Sequence, residues 1–179
     1  MKRTLRFISG YLIGGLVFLY LLPLGLFELS RLDYLFNYKM IISSLVIRFV
    51  LSGVIMIIGI VFMIWSNVFL FMIGKGGPAE GFGVAISPRT QKLVIRGPYR
   101  VCRHPMVFSL FLIYLSVVLY LNSLMALIML ILLLIMAALY LSYSEEKRLR
   151  RDFGEEFLTY KKKVPMIIPL KRRSRPAIQ

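Results

Sequence analysis

The chain has 179 residues, of which 59% are hydrophobic and 17% are charged, and its formal net charge is +15. A soluble domain of this length would be nearer half apolar and a quarter charged, and the apolar residues here lie in long blocks. The composition therefore excludes an ordinary soluble domain and predicts one compact integral membrane domain.

The basic residues are segregated along the chain. Of the 23 Lys and Arg, 11 lie in 144–179, 6 in 74–106 and 3 in the first six positions. This segregation is typical of positively charged cytoplasmic loops, and it argues against nucleic acid as a partner. The single Cys102 excludes an intrachain disulfide, and one histidine with one cysteine gives no support to a metal site.

Two apolar spans are predicted in the first part of the chain. The first runs from about Leu5 to Phe27, with Pro23 kinking or ending it. The second runs from Ile41 to about Ile73 and is too long for one perpendicular crossing. It is expected to tilt, to project into the cytoplasm, or to break near Trp65-Ser66-Asn67.

Two further spans are predicted as a tight antiparallel hairpin. They run from about Met106 to Leu121 and from Leu124 to Tyr143, and only Asn122-Ser123 separates them. Pro105 is a favoured first residue for the helix that follows it. The sequence thus predicts an all-α membrane protein with four transmembrane helices.

The loops between these spans indicate an orientation. A cytoplasmic N-terminus places 28–40 and 122–123 outside and 74–105 and 144–179 inside. The outer segments then hold two basic residues, and the inner segments together with the N-terminus hold twenty. Both termini are therefore predicted to be cytoplasmic, with the lipid bilayer as the partner of the spans.

An amphipathic helix is predicted after the last span, from Glu145 to Val164. Its apolar positions recur every three or four residues, as on a membrane-surface helix, and Gly154 is a possible interruption. Pro165 ends the helix.

The segment Gly97–Pro105 lies between two apolar spans and contains the only histidine, His104. That side chain could be a general base, a polar contact to a ligand, or an interfacial imidazole. The predicted hairpin returns Glu145-Glu146 to the same membrane face. The two carboxylates could bind a polar ligand or pair with Arg100, Arg103 or Arg148, because an unpaired charge beside lipid is costly.

Several segments follow one another in a recognisable order. They are Leu93–Arg100, Arg103-His104-Pro105, Glu145-Glu146, Phe153–Phe157 with Tyr160, and Val164-Pro165. Together they resemble the isoprenylcysteine carboxyl methyltransferase and phospholipid methyltransferase superfamily of integral membrane enzymes. Gly76-Gly77-Pro78 is similar to a Gly-Thr-Pro of many prokaryotic members, so the resemblance covers roughly 74–169.

The resemblance implies a pocket for S-adenosylmethionine at the cytoplasmic face, closed by the region after the last span. Residues 74–179 would then form the catalytic region and 1–73 the N-terminal transmembrane helices. The resemblance implies that Glu145 and His104 are catalytic residues. The residues that it implies at the cofactor are Lys92, Leu93, Val94, Tyr99, His104, Pro105, Glu145 and Glu146. The cofactor's sulfonium already activates the methyl group, so transfer requires mainly positioning and desolvation.

The resemblance leaves the methyl acceptor open. Prenylcysteine-type members have an arginine four residues before the glutamate matched by Glu145, and here that position is Leu141. A phospholipid amine, a lipid carboxylate and a small thiol are all possible lipophilic or amphiphilic acceptors. The rival readings are a sterol-reductase-type enzyme, which would bind NADPH, and a small membrane scaffold or transporter. The oligomeric state is not indicated by the sequence.

Overall fold

The computed structural model describes residues 12, 14–36, 41–75, 80–81, 84–85 and 90–169. Its five α-helices are α1 (Leu22–Leu35), α2 (Leu45–Phe69), α3 (Pro105–Leu121), α4 (Leu124–Tyr140) and α5 (Glu146–Lys163). Three π-helical stretches adjoin them: Leu16–Leu21 before α1, Leu70–Gly74 after α2, and Leu141–Glu145 between α4 and α5. Two short antiparallel strands, Glu80–Gly81 and Val84–Ala85, pair with each other.

The helical fold class is confirmed, and two continuous helices are long and apolar enough to cross a membrane. These are Leu45–Gly74 and Leu124–Lys163, while α3 is a shorter apolar helix. Apolar side chains such as Val46 and Ile57, which are 71% and 63% exposed, provide a surface suited to lipid. The four-span arrangement and its orientation stay predictions, and the start of the first predicted span lies outside the described residues.

Two helix boundaries differ from the prediction. The first helix does not end near Phe27, because α1 continues to Leu35, and Pro23 lies in its first turn, directly after the π-helical stretch Leu16–Leu21. Of the three alternatives for the long second span, the break near 65–67 is absent, since α2 is continuous through these residues. There the side chains of Ser66 and Asn67 donate to backbone carbonyls of their own helix, at 2.6 and 2.9 Å.

Helices α2 and α3 form the most extensive contact between elements. Small residues are buried on both helices: Ser52, Gly59 and Ser66 on α2, and Ser109 and Ser116 on α3. A Cβ atom on Gly59 would lie only 2.8 Å from Ile113 Cγ1. Small residues let membrane helices approach closely, and this pair is held by such packing.

The turn between α3 and α4 is tied to two other parts of the chain. Asn122 adopts a left-handed conformation with φ of 56°. Its side chain accepts a hydrogen bond from the Ile42 N–H at 2.9 Å and donates to the Ile42 carbonyl at 3.0 Å. Asp33 accepts from the N–H of Met125 at 3.0 Å, which satisfies a donor in the first turn of α4. This end of the helix bundle is therefore cross-linked by polar contacts.

The amphipathic helix predicted after the last span is present as α5, and the predicted interruption at Gly154 is confirmed. Gly154 has φ of 50° and ψ of −126°, a conformation that side-chain-bearing residues rarely adopt. The helix axis changes direction at this residue. Beyond it, Phe157 and Tyr160 are buried with 1% and 8% exposure, so the second half of α5 packs onto the protein.

Candidate functional site

The loop that leads to the lone histidine is packed against the end of α2. Gly97 has φ of 59°, and a Cβ atom there would lie 2.5 Å from a ring carbon of Phe69. Only glycine fits this position without displacing the ring. A 3₁₀ turn, Gly97–Arg100, follows and buries Tyr99, which is 8% exposed.

The end of α5 and the segment after it are fastened to this loop. The Tyr160 hydroxyl donates to the Tyr99 carbonyl at 2.5 Å. The backbone N–H groups of Arg103 and His104 donate to the carbonyls of Pro165 and Met166, each at 2.9 Å. These bonds satisfy donors that the loop itself leaves unpaired, so residues 160–166 form part of the site.

A buried charge cluster lies beside the loop. Arg103 pairs with Glu146, and the Lys161 Nζ atom lies 2.7 Å from the other carboxylate oxygen of Glu146. The side chains of Arg103 and Glu146 are 6% and 3% exposed. Glu146, which the sequence pattern placed beside the cofactor, is thus held by two cations that join the loop to both halves of α5.

Glu145 faces a different set of partners. Its Oε2 atom lies 3.6 Å from His104 Nδ1, and its Oε1 atom lies 3.7 Å from Arg148 Nη2. Its side chain is 36% exposed, so a ligand can reach it. Burial, with a smaller contribution from the charge of Glu146, raises the pKa of Glu145 to about 7.

The imidazole of His104 is uncharged at neutral pH. Burial, with a smaller contribution from Arg103, lowers its pKa to about 3. A neutral imidazole offers one donor and one acceptor. Its Nε2 atom is buried and has no hydrogen-bond partner within the described part of the chain. Because an unpartnered buried polar atom is costly, its presence is typical of a ligand contact.

Neither Tyr99 nor Cys102 is activated as a nucleophile. Burial, followed by the charge of Glu145, raises the pKa of Tyr99 above its ordinary value. Burial raises the pKa of Cys102 to about 12, so its thiol is protonated at neutral pH.

These groups surround a cavity of about 140 Å³. A site for a single water molecule has a volume of about 10–15 Å³. The cavity is therefore better suited to an organic molecule than to a single ion. The cavity is lined by seven residues that the sequence pattern implied: Lys92, Leu93, Val94, Tyr99, His104, Pro105 and Glu145. The loop before α3 and the start of α5 thus converge, as the predicted hairpin requires.

The cavity also has walls that were not predicted as site residues. They are Leu70, Thr90, Arg103, Met106, Val107, Arg148, Leu149, Phe153 and Tyr160. Arg148 could have been found from sequence, because on a helix it lies on the same face as Glu145, three residues earlier. Leu70 and Thr90 carried no such signal, since the close packing of Gly74 against Thr90 depends on the fold.

A family profile matches a large part of the chain. The profile of the phospholipid methyltransferase family matches residues 47–156, which is more than half of the chain. The matched range contains most of α2, all of α3 and α4, the first part of α5 and most of the cavity wall. No curated protein and no solved structure matches the chain.

Proposed function

Because the chain belongs to the phospholipid methyltransferase family, within an integral membrane methyltransferase superfamily, we propose that it uses S-adenosylmethionine to methylate a lipophilic or amphiphilic acceptor. The observation that carries this proposal is the cavity where Glu145, neutral His104 and Tyr99 meet at the ends of apolar helices. A polar cofactor and a lipid-dissolved acceptor can both reach such a place.

The residues present fit this cofactor. The Glu145 carboxylate would bind its ammonium or ribose hydroxyls, and the orphaned Nε2 of His104 would contact a polar group. Tyr99 and the apolar walls suit the adenine ring. When bound, S-adenosylmethionine supplies a methyl group that its sulfonium has already activated. The protein's part is to position the reactants and exclude water.

We place this cavity at the cytoplasmic membrane face, with four spans and both termini on that side. The distribution of basic residues supports this orientation, because the loops on the cavity side hold most of the positive charge. Residues 74–179 form the catalytic region in this proposal, and Leu70 of the preceding helix adds one apolar side chain to the cavity wall.

Isothermal titration of the purified protein with S-adenosylmethionine and with its demethylated product tests the proposal. Glu145→Gln and His104→Ala are each expected to weaken binding about tenfold or more, because each removes a charge or a buried polar contact. Glu156→Gln, on an exposed part of α5, is the matched control and should bind as the wild type does. A folded wild-type protein that binds neither compound would contradict the proposed function.

Cofactor binding is also expected to release protons below about pH 7. The free protein holds a proton on Glu145 below that pH, since its pKa is about 7. A bound cation favours the carboxylate and lowers this pKa, so the proton leaves on binding. Affinity should therefore rise as the pH is raised toward 7 and then level off.

Titrations in buffers of different ionisation enthalpy measure this proton release. The apparent binding enthalpy of the wild type should depend on the buffer at about pH 6, and that of Glu145→Gln should not. If the apparent binding enthalpy of both proteins depended equally on the buffer, the released proton would come from a group other than Glu145.

A further inference from the structure

A group of exposed basic side chains lies on the first half of α5, outside the cavity wall. Residues 147–151 contain four cations and no carboxylate. Arg148 lines the cavity, whereas Lys147, Arg150 and Arg151 are exposed. Helical residues three or four positions apart lie on the same face. These three side chains therefore form one outward surface, which we call the basic face.

The carboxylates around the basic face leave much of its charge in place. Glu145 lines the cavity and Glu146 is buried against Arg103, so both lie away from the exposed side of α5. Asp152 pairs with Arg151, with 3.1 Å between its Oδ1 atom and the Nε atom of the arginine. Within the part of the chain that the structure describes, the two other cations of the basic face form no ion pair with a carboxylate.

The basic face continues a row of exposed apolar side chains on α4. Met136 and Leu139 are 65% and 66% exposed, and Tyr143 in the π-helical stretch that follows is 81% exposed. The Lys147 Nζ atom lies 5.9 Å from the centre of the Tyr143 ring, which is a cation–π distance. One side of this continuous helix therefore changes from aliphatic to aromatic to basic.

That order matches the layers of a membrane surface. Tyrosine is enriched where the hydrocarbon meets the headgroups, and the headgroup layer is roughly 5–8 Å thick on each side of a bilayer. At about 1.5 Å per residue, Lys147 lies about 6 Å beyond Tyr143 along the helix. The long side chains of Arg150 and Arg151 can reach back toward the same layer. With Tyr143 at the edge of the hydrocarbon, the basic face lies among the lipid phosphates.

We propose that the basic face is a binding site for the headgroup of an anionic phospholipid. Lys147 and Arg150 bind its phosphate and its negative charge, and Tyr143 contacts the adjoining part of the acyl chains. A nucleic acid would be attracted by the same cations, but it would leave the apolar row beside them uncovered. The site lies outside the cofactor cavity and does not depend on the proposed function.

A lipid bound at this site would also act on the cavity. Leu149 and Phe153 line the cavity and belong to the same turns of α5 as the basic face. Holding one side of these turns at the phosphates holds the other side there as well. The bound lipid therefore keeps the cavity wall at the membrane surface.

Fluorescence quenching by brominated lipids tests the site. Trp65 is the only tryptophan of the chain, so Trp65→Phe with Tyr143→Trp places a single reporter beside Lys147. Tryptophan keeps both the aromatic ring and the preference for the membrane interface. The reporter protein is reconstituted into liposomes of phosphatidylcholine and phosphatidylglycerol, with bromine on one lipid or the other. The two quenching curves give the affinity for phosphatidylglycerol relative to phosphatidylcholine at the reporter.

Three variants of the reporter protein are compared with it. Lys147→Gln with Arg150→Gln removes two charges from the site. Lys162→Gln with Lys163→Gln removes the same charge from exposed positions at the end of α5 and is the matched control. Lys147→Arg with Arg150→Lys keeps the charge and changes the side chains. All three should unfold at the same temperature as the reporter protein, because the substituted side chains are exposed.

The reporter protein is expected to bind phosphatidylglycerol at least about threefold more tightly than phosphatidylcholine, because each cation at the surface attracts the anionic headgroup. Lys147→Gln with Arg150→Gln should bring this ratio to about one. The matched control and the charge-conserving variant should keep it. In about 1 M salt the preference should fall, since charges are then screened within about 3 Å.

Equal affinity of the reporter protein for the two lipids would overturn the proposal. So would a preference that survives Lys147→Gln with Arg150→Gln, or one that the matched control loses to the same extent, since the attraction would then be spread over the whole basic surface. Loss of the preference in the charge-conserving variant would show that packing rather than charge is responsible. Binding of a uridine oligonucleotide that depends on Lys147 and Arg150, without any lipid preference, would assign the basic face to nucleic acid.

Discussion

Replacing Glu146 by alanine is expected to lower the free energy of unfolding by about 3–5 kcal/mol, because Arg103 would remain buried without its carboxylate. Arg103 is 6% exposed at its side chain and pairs directly with Glu146. Lys161 would also lose its 2.7 Å contact, which holds the second half of α5. The change should therefore loosen α5 as well as the loop before α3.

Thermal and denaturant unfolding of the detergent-solubilised protein measure this loss. Glu156→Ala on the exposed face of α5 is the matched control and should change stability by less than about 0.5 kcal/mol. The double variant Arg103→Met with Glu146→Leu removes both charges and should lose much less than the single change. A single variant as stable as the control would show that the pair contributes little.

Replacing Gly59 by leucine is the second substitution with a large expected effect. The first side-chain atom alone would lie 2.8 Å from Ile113 Cγ1 and 3.0 Å from the Ile113 nitrogen, so α2 and α3 would have to separate. Overpacking a tight contact costs about 1–3 kcal/mol and occasionally more. We expect the upper end of that range, since one of the two contacts is with backbone that cannot turn aside.

The same helix offers a matched control for this change. A Cβ atom on Gly53 would meet nothing within 4 Å, so Gly53→Leu should be neutral or slightly stabilising. Both variants are compared by thermal unfolding in the same detergent. If Gly59→Leu unfolded at the same temperature as Gly53→Leu, α2 and α3 would pack less closely at Gly59 than the structure indicates.

The sequence was sufficient to predict the helices and the meeting of His104 with Glu145. Apolar blocks mark membrane helices by length alone, and the two-residue link Asn122-Ser123 forces the last two spans to run antiparallel. Any residue just before the first of these helices must then lie near any residue just after the second. That geometry brings the two segments together, and in the structure the side chains of His104 and Glu145 lie 3.6 Å apart.

The choice of charge partners could not be predicted. The sequence left Arg100, Arg103 and Arg148 open as partners of the two glutamates. Adjacent residues on a helix point about 100° apart, so Glu145 faces the cavity and Arg148 while Glu146 faces Arg103. Which glutamate takes which partner depends on the rotation of α5, and no local pattern encodes that rotation.

The packing of α2 against α3 also could not be predicted from the sequence. Ser52, Gly59 and Ser66 recur every seven residues in the second span, but the sequence does not show which neighbour that face meets. In the structure all three are buried, and Gly59 lies against Ile113 of α3. Their spacing becomes informative only once the neighbouring helix is known, because close approach needs small residues on both sides.

The hydrogen bonds from Arg103 and His104 to Pro165 and Met166 have a consequence for biosynthesis. The loop before α3 and the helix hairpin α3–α4 are both synthesised before Pro165 and Met166, whose carbonyls accept these hydrogen bonds. The Tyr160 hydroxyl that closes over Tyr99 is translated 61 residues after it. Until the intervening residues have been made, the backbone N–H groups of Arg103 and His104 lack these acceptors. Completion of the site therefore requires residues 160–166, which are translated after all five α-helices have begun.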